Sequence, residues 1–450
     1  MTPLVPIALF GWPIVSVVLF ALLPARRAVI SCLVGGWLFL PMYQYDLPGL
    51  PDYGKVMATS LGVLLGAVLF DGRRFLALRF RLIDLPAAVW CLCPLATSMS
   101  NDLGVYDGLS GSLGHLLTWG IPYLMGRLYF TDLPSLRELA EGIIVGGLIY
   151  VPLCLWEIRM SPQLHRILYG FQQHSFAQHL RFGGYRPKVF MQHGLAVAGW
   201  MASALVTAVG AWRCWPARPV LRLPWAVTVL ALGTTLILCR SGNGYILAAL
   251  GVMAWFTWDV VRTRVPLAAL SLVAPVYMMA RFTGVLPGEH VMAVAALIAP
   301  ADRVESLASR VQQEDLFMQR TKERIWLGWG GWGRAFPVDQ EGQRLVRAVD
   351  SLWVIASSFY GIVGVSAVTL LFLVPVVAVV RRMSRVSQGR HILGGAMLLA
   401  VLLVMVLIDN LFNAMVNPVN VVAAGALSGT VVEGKPVGRA VARLSEGAPE

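Results

Sequence analysis

The chain has 450 residues, of which 57% are hydrophobic and 13% charged. Soluble domains average about 25% charged residues, and a soluble protein of this length has too little interior to hide so much apolar surface, which excludes a soluble enzyme, a disordered chain, a fibrous repeat and a small disulfide scaffold. The net charge of +12, from 36 basic and 24 acidic residues, suits either nucleic acid or an anionic membrane partner.

An apolar helix of about 20 residues crosses a bilayer. Such runs are predicted at 3–23, 28–42, 55–70, 87–100, 112–130, 139–157, 191–212, 223–239, 245–261, 266–285, 351–380, 392–411 and 415–432. That is about 13 spans by the length a bilayer requires. The fourth is short and carries Pro94, and the last has a re-entrant hairpin as its alternative. No basic stretch precedes the first run; Arg26 and Arg27 follow it. It is therefore read as an uncleaved helix that starts outside, not as a signal peptide. The six cysteines fall mostly inside apolar runs, and Cys91-Leu92-Cys93 is not a metal or redox spacing. They are expected to be small buried hydrophobes.

Basic residues orient the spans, because cytoplasmic loops are enriched in Lys and Arg. One set of alternate loops, running from Arg26 and Arg27 to Lys435, Arg439 and Arg443 in the tail, holds 20 of them. The short loops of the other set carry only Lys55 and Arg240. The first set is expected in the cytoplasm, with 433–450 as a cytoplasmic tail. The whole of 1–450 is expected to form a single membrane domain. Two long segments, 158–190 and 286–350, would lie outside; with Arg281 they hold the remaining 14 basic residues. Loops longer than about 15 residues usually have a function. The second is expected to contain one or two amphipathic helices at the outer surface. No internal repeat of 20–50 residues is evident.

No metal-binding motif, phosphate loop or nucleophile elbow occurs, so neither a metal nor a cofactor is expected. Arginines at the outer face are the distinctive feature. Arg240 ends one span and is followed by Ser241-Gly242-Asn243-Gly244. Its fork of donors suits a phosphate, small residues permit close approach, and the next helix opens with free N–H groups. Headgroup contact is the plainer alternative. Arg186 precedes Pro187, Lys188 and, further on, His193; a histidine there is either a helix cap or a functional group. Arg320 and Arg324 lie beside Trp326, Trp329 and Trp332. Tryptophans among glycines could stack on sugars or form an interfacial belt. Asp350 opens a long apolar run, as a helix-start carboxylate or a general base. Asp409, Asn410, Asn413 and Asn417 make a polar patch near the end of a span.

Three stretches together resemble the O-antigen ligase and O-antigen polymerase superfamily of bacterial inner-membrane proteins. Cys239-Arg240-Ser241-Gly242 is similar to that family's Ser-Arg-Gly turn. Tyr185-Arg186-Pro187 with Phe190-Met191-Gln192-His193-Gly194 is similar to its Arg-Pro … Phe-x-His-Pro stretch. Val349-Asp350-Ser351-Leu352-Trp353 with Tyr360-Gly361-Ile362-Val363-Gly364 is similar to the segment after its large loop. The similarity covers roughly residues 140–430. It implies an all-α, GT-C-like membrane fold with a large periplasmic loop. It also implies metal-independent glycosyl transfer from a polyprenyl-diphosphate-linked oligosaccharide at the periplasmic face. Ligases commonly have His-Asn-Ser where this chain has Asp350-Ser351-Leu352, a departure that favours a polymerase of surface polysaccharide. Gly194 stands where the family often has Pro.

On this reading Arg186, Arg240, Arg320 and Arg324 bind the diphosphate, Asp350 or His193 is the base, and Trp329 and Trp332 hold sugar. Membrane lipid and other polysaccharide-assembly proteins are the further partners, and nucleic acid is not one. A ligase that transfers glycan to a lipid, and a transporter or flippase, are the alternatives.

Overall fold

The computed structural model describes residues 1–433 apart from 174, 175, 182, 299, 300, 332, 347 and 384–389. Trp332 and the predicted tail beyond Glu433 lie outside the described residues.

About 74% of the described residues are helical. In chain order the elements begin with α1 (Leu4–Leu22) and α2 (Ala25–Phe39), then the antiparallel pair β1 (Gln44–Tyr45) and β2 (Tyr53–Gly54). Next come α3 (Lys55–Asp71), α4 (Arg73–Ala77), α5 (Leu85–Ser100) and α6 (Val105–His115). A π-turn at Leu116–Gly120 carries α6 into α7 (Ile121–Tyr129). Then follow α8 (Leu133–Met160), α9 (Leu164–Tyr169) and a second small antiparallel pair, β3 (Leu180–Arg181) and β4 (Gly184–Tyr185). After them come α10 (Gly194–Cys214), α11 (Trp225–Leu238), α12 (Gly242–Asp259) and α13 (Val265–Phe282). The long late segment supplies α14 (Gly288–Ile298) and α15 (Ala301–Lys322). The chain closes with α16 (Leu352–Met383), α17 (Arg390–Asp409) and α18 (Pro418–Glu433).

Among the described residues, seven helices are long and apolar enough to cross a membrane: α1, α5, α8, α10, α13, α16 and α17. This makes an all-α fold compatible with a multi-pass membrane protein. The other six predicted spans are helical too. Four of them, α2, α3, α11 and α18, have only 14 to 17 residues. Another, α12, opens and closes on polar residues, and the last is interrupted by the π-turn between α6 and α7. Burial separates core from rim. The apolar windows of α17 and α10 are 78% and 72% buried, against 22% for α1 and α13. A helix apolar all round yet mostly uncovered is suited to lipid, whereas α10 and α17 satisfy the same hydrophobicity inside protein.

Two sets of loop contacts tie the helices together. At the arginine-rich end, Arg26 pairs with Asp132 at 2.5 Å and Glu138 at 3.3 Å, and Arg213 with Asp259 at 2.9 Å. Arg127, fully buried, donates to both oxygens of Asp84 at 2.7 and 3.2 Å, and Tyr123 donates to the same carboxylate at 2.8 Å. At the other end the N-terminus meets α9, where Thr2 N–H donates to the Tyr169 carbonyl at 3.1 Å. Met42 N–H donates there to His165 Nε2 at 3.2 Å.

The late segment is fastened to this second end at two places. Buried Arg281, near the end of α13, donates to Glu314 (3.1 Å) and Asp315 (2.8 Å) of α15 and to the Leu286 carbonyl (2.9 Å). Further on, the chain runs into a break in α16. Gly361 there has φ 65° and ψ −161°, a conformation open essentially to glycine alone. The break frees backbone groups that the incoming segment satisfies. Ile362 N–H donates to Ile325 O (2.8 Å), Trp329 N–H to Ser358 O (3.0 Å) and Gly330 N–H to Phe359 O (2.9 Å). From α5, Thr97 and Asn101 donate to the Leu327 and Gly328 carbonyls at 2.7 and 3.0 Å. Irregular backbone is tolerated in a membrane protein where protein covers it in this way.

Candidate functional site

Between α8 and α10 the chain is shaped by one buried carboxylate. Glu157 of α8 accepts N–H bonds from Lys188 and Val189 at Oε2 (both 2.7 Å) and from Leu164 at Oε1 (2.9 Å). Phe190 N–H donates to the Tyr150 hydroxyl at 3.2 Å. These bonds fix the strap that carries Arg186. Lys188 is buried, and burial lowers its pKa to about 8 against the opposing pull of Glu157.

Arg186 is 5% exposed. Its stem lies against Gly194, where an added Cβ would stand 2.7 Å from Nε. Glycine at 194 is therefore what lets the arginine pass the start of α10. The guanidinium then donates to the Ser241 hydroxyl at 3.1 Å. Ser241 is the N-cap of α12 and accepts from Gly244 N–H at 3.4 Å. Arg240 is the residue before that cap, and its side chain reaches back to β3 and β4. Its backbone is left-handed, with φ 50°, its guanidinium donates to the Arg181 carbonyl at 3.1 Å, and it covers Gly184 so closely that no Cβ would fit. Gly242, by contrast, has nothing within 4 Å of where a Cβ would stand, so there is room at the start of α12, next to Arg186 and Arg240 in the fold. Partly free N–H groups, the helix dipole and two guanidinium groups favour an anion there.

In the same first turn, Asn243 donates to Asp409 Oδ1 at 2.7 Å, and Asn413 donates to the same oxygen at 2.7 Å. The Arg310 guanidinium of α15 lies within electrostatic reach of Asp409. Arg310 Nε is buried and has no hydrogen-bond partner among the described residues. Asn413 in turn receives the Leu352 N–H at 3.3 Å through its carbonyl. Asp350, two residues before α16, is exposed at this same end.

The sequence pointed to Arg186 and Arg240, and the fold brings them to one turn. Arg320 and Arg324 are held elsewhere. Their guanidinium carbons sit 3.5 and 5.0 Å from the centroid of the Trp329 ring. Arg320 also pairs with Glu323 at 2.6 Å, and Arg324 donates to the Ser100 carbonyl at 3.4 Å. Trp329 is thus a platform for cations, its N–H spent on the Arg320 carbonyl at 2.9 Å. Gly328 beside it serves main-chain contact: a Cβ there would stand 2.5 Å from the backbone of Phe359. His193 is the N-cap of α10, its Nδ1 accepting from Leu195 N–H at 3.1 Å. An Nδ1 that accepts leaves the proton of the neutral ring on Nε2, so the ring presents a donor. Glu157, Arg310 and the Asn243–Asp409 bond were not foreseen. Arg310 in an amphipathic helix reads like any solvated charge, and Asn243 and Asp409 are 166 residues apart.

No protein-family model matches this chain, and no curated protein matches it.

Proposed function

We propose that the protein is a polymerase-type glycosyltransferase of a bacterial inner membrane. It joins polyprenyl-diphosphate-linked repeat units into a surface polysaccharide at the periplasmic face. The observation that carries this reading is the arrangement at the start of α12: Arg186 bonded to the capping Ser241, Arg240 directly before that cap, and open space at Gly242. Such a cradle holds a diphosphate. The bond from sugar C1 to the phosphate oxygen is already activated, so cations that stabilise the departing diphosphate supply much of the catalysis.

The acceptor hydroxyl oxygen attacks C1, the C1–O bond breaks, and its electron pair leaves with the polyprenyl diphosphate. The hydroxyl proton goes to Asp350, exposed before α16. His193, with its proton on Nε2, donates a hydrogen bond rather than acting as the base. Arg310 adds positive charge from the α15 side.

The test uses the purified full-length protein, a polyprenyl-diphosphate oligosaccharide and no added metal. Elongated product that disappears in Arg240→Ala supports the reading. Product attached to a different lipid makes the protein a ligase instead. The absence of any transfer sinks the enzymatic reading.

A further inference from the structure

A cavity of about 450 Å³ opens at the same end as the arginine cradle, between the β1–β2 turn, α3, α6 and the strap before α10. Trp37, Tyr43, Gln44, Lys55, Thr118 and Gln192 are among its lining. Gln192 is the residue before the α10 cap, and the cavity's far wall includes Ala414, next to the Asn413 that bonds Asp409. The cavity therefore adjoins the candidate site without sharing its arginines. Its volume falls in the ~300–1,000 Å³ range of ligand pockets.

Lys55 makes this cavity unusual. It is 4% exposed. Of its three N–H donors one is used, on the Phe190 carbonyl at 2.8 Å, and the ammonium lies 5.3 Å from the centre of the Trp37 ring. Among the described residues no carboxylate forms an ion pair with it. Asp52, the carboxylate in the cavity lining, is exposed. Charging a buried amine that has no ion-pair partner is costly, and the neighbouring Lys188, which also acts on His165, is itself offset by Glu157. An anionic ligand would offset that cost. The remaining lining argues for the kind of anion: two aromatic rings with amide and hydroxyl groups suit a sugar ring, which is apolar on its faces and polar at its rim.

We propose that this cavity binds an acidic saccharide, a sugar ring whose carboxylate is received by Lys55. The inference deepens the proposed function by naming the class of glycan that the site handles. Binding needs no turnover, so its failure is distinguishable from failure of transfer.

The experiment measures binding to the purified full-length protein by calorimetry. The probes are a short oligomer of glucuronic acid, its carboxyl-reduced glucose counterpart, and inorganic pyrophosphate. The uronate oligomer is expected to bind at least about tenfold more tightly than the neutral one. Lys55→Gln should remove that preference and Lys55→Arg should restore part of it. Gly114 also lines the cavity, and a Cβ there meets nothing within 4 Å. Gly114→Leu should therefore block the cavity and abolish uronate binding while leaving the protein folded, which keeps the inference testable if Lys55→Gln does not fold. Equal affinity for the two oligomers, or uronate binding unchanged in Lys55→Gln or Gly114→Leu, overturns it. So does an outcome in which pyrophosphate alone depends on Lys55.

Discussion

The Arg186 guanidinium donates to the Ser241 hydroxyl at 3.1 Å, joining the strap after β4 to the cap of α12. This bond separates the arginines into two groups that the sequence had placed in one. Arg186 and Arg240 border an open helix start, whereas Arg320 and Arg324 are spent on Trp329. Arg186→Ala and Arg240→Ala should therefore each lower elongation at least about a hundredfold, since a charge-assisted contact in the transition state carries roughly 3 kcal/mol. Arg320→Ala should lower it less than about tenfold. Initial rates of the purified variants, with membrane abundance as control, decide this; an Arg320→Ala defect as deep as that of Arg240→Ala would return the diphosphate to the Trp329 cluster.

Glu157 accepts three backbone N–H groups. Leaving a buried donor unsatisfied costs about 1–3 kcal/mol each, so Glu157→Leu should destabilise by at least roughly 3 kcal/mol. Glu157→Gln keeps an acceptor oxygen and should cost less. Thermal unfolding in detergent gives the ranking. Equal melting temperatures would mean the strap is held by other bonds.

Gly361→Ala places a Cβ against the Trp326 backbone in a conformation alanine rarely adopts. The strain alone is about 1–3 kcal/mol, and relieving it breaks the bonds to Ile325 and Trp326. Faster protease cleavage within 325–330 is expected in this variant. A cleavage rate like that of the parent would show the junction tolerates the side chain.

Stability should also depend on acid through His165. Burial first, then Lys188 and Lys55, hold its pKa at about 4 against the raising effect of the Phe171 carbonyl, compared with the ordinary 6.5. The unfolded chain thus takes up a proton that the folded one refuses between these values. The contribution is complete above pH 6.5 and is lost as the pH falls through about 4. The melting temperature should decline over that window, and His165→Gln should flatten the decline. A parallel decline in both proteins would assign it to other groups.

The helices were legible because apolar runs of such length have few other solutions. The Arg186–Ser241 contact was half legible: both stretches stood out, but their meeting depends on Gly194 and on Glu157, which sits inside an apolar helix. The break at Gly361 was hidden, because 351–380 is apolar throughout and hydropathy does not record a backbone angle. The close main-chain approach of Gly328 to α16 was equally hidden, because a glycine among tryptophans does not announce its partner. Arg310 and Asp409 come together only through the packing of α15 over the bundle, which no local pattern encodes.

The break in α16 has a mechanical consequence. A loop joined to a helix through side chains can peel away one contact at a time. Here the segment at 325–330 is joined through main-chain bonds to both sides of Gly361, and α15 is anchored at its middle by Arg281. The two fastenings tie α13, α15 and α16 together, so displacing α15 requires either breaking those main-chain bonds or turning α16 at its glycine.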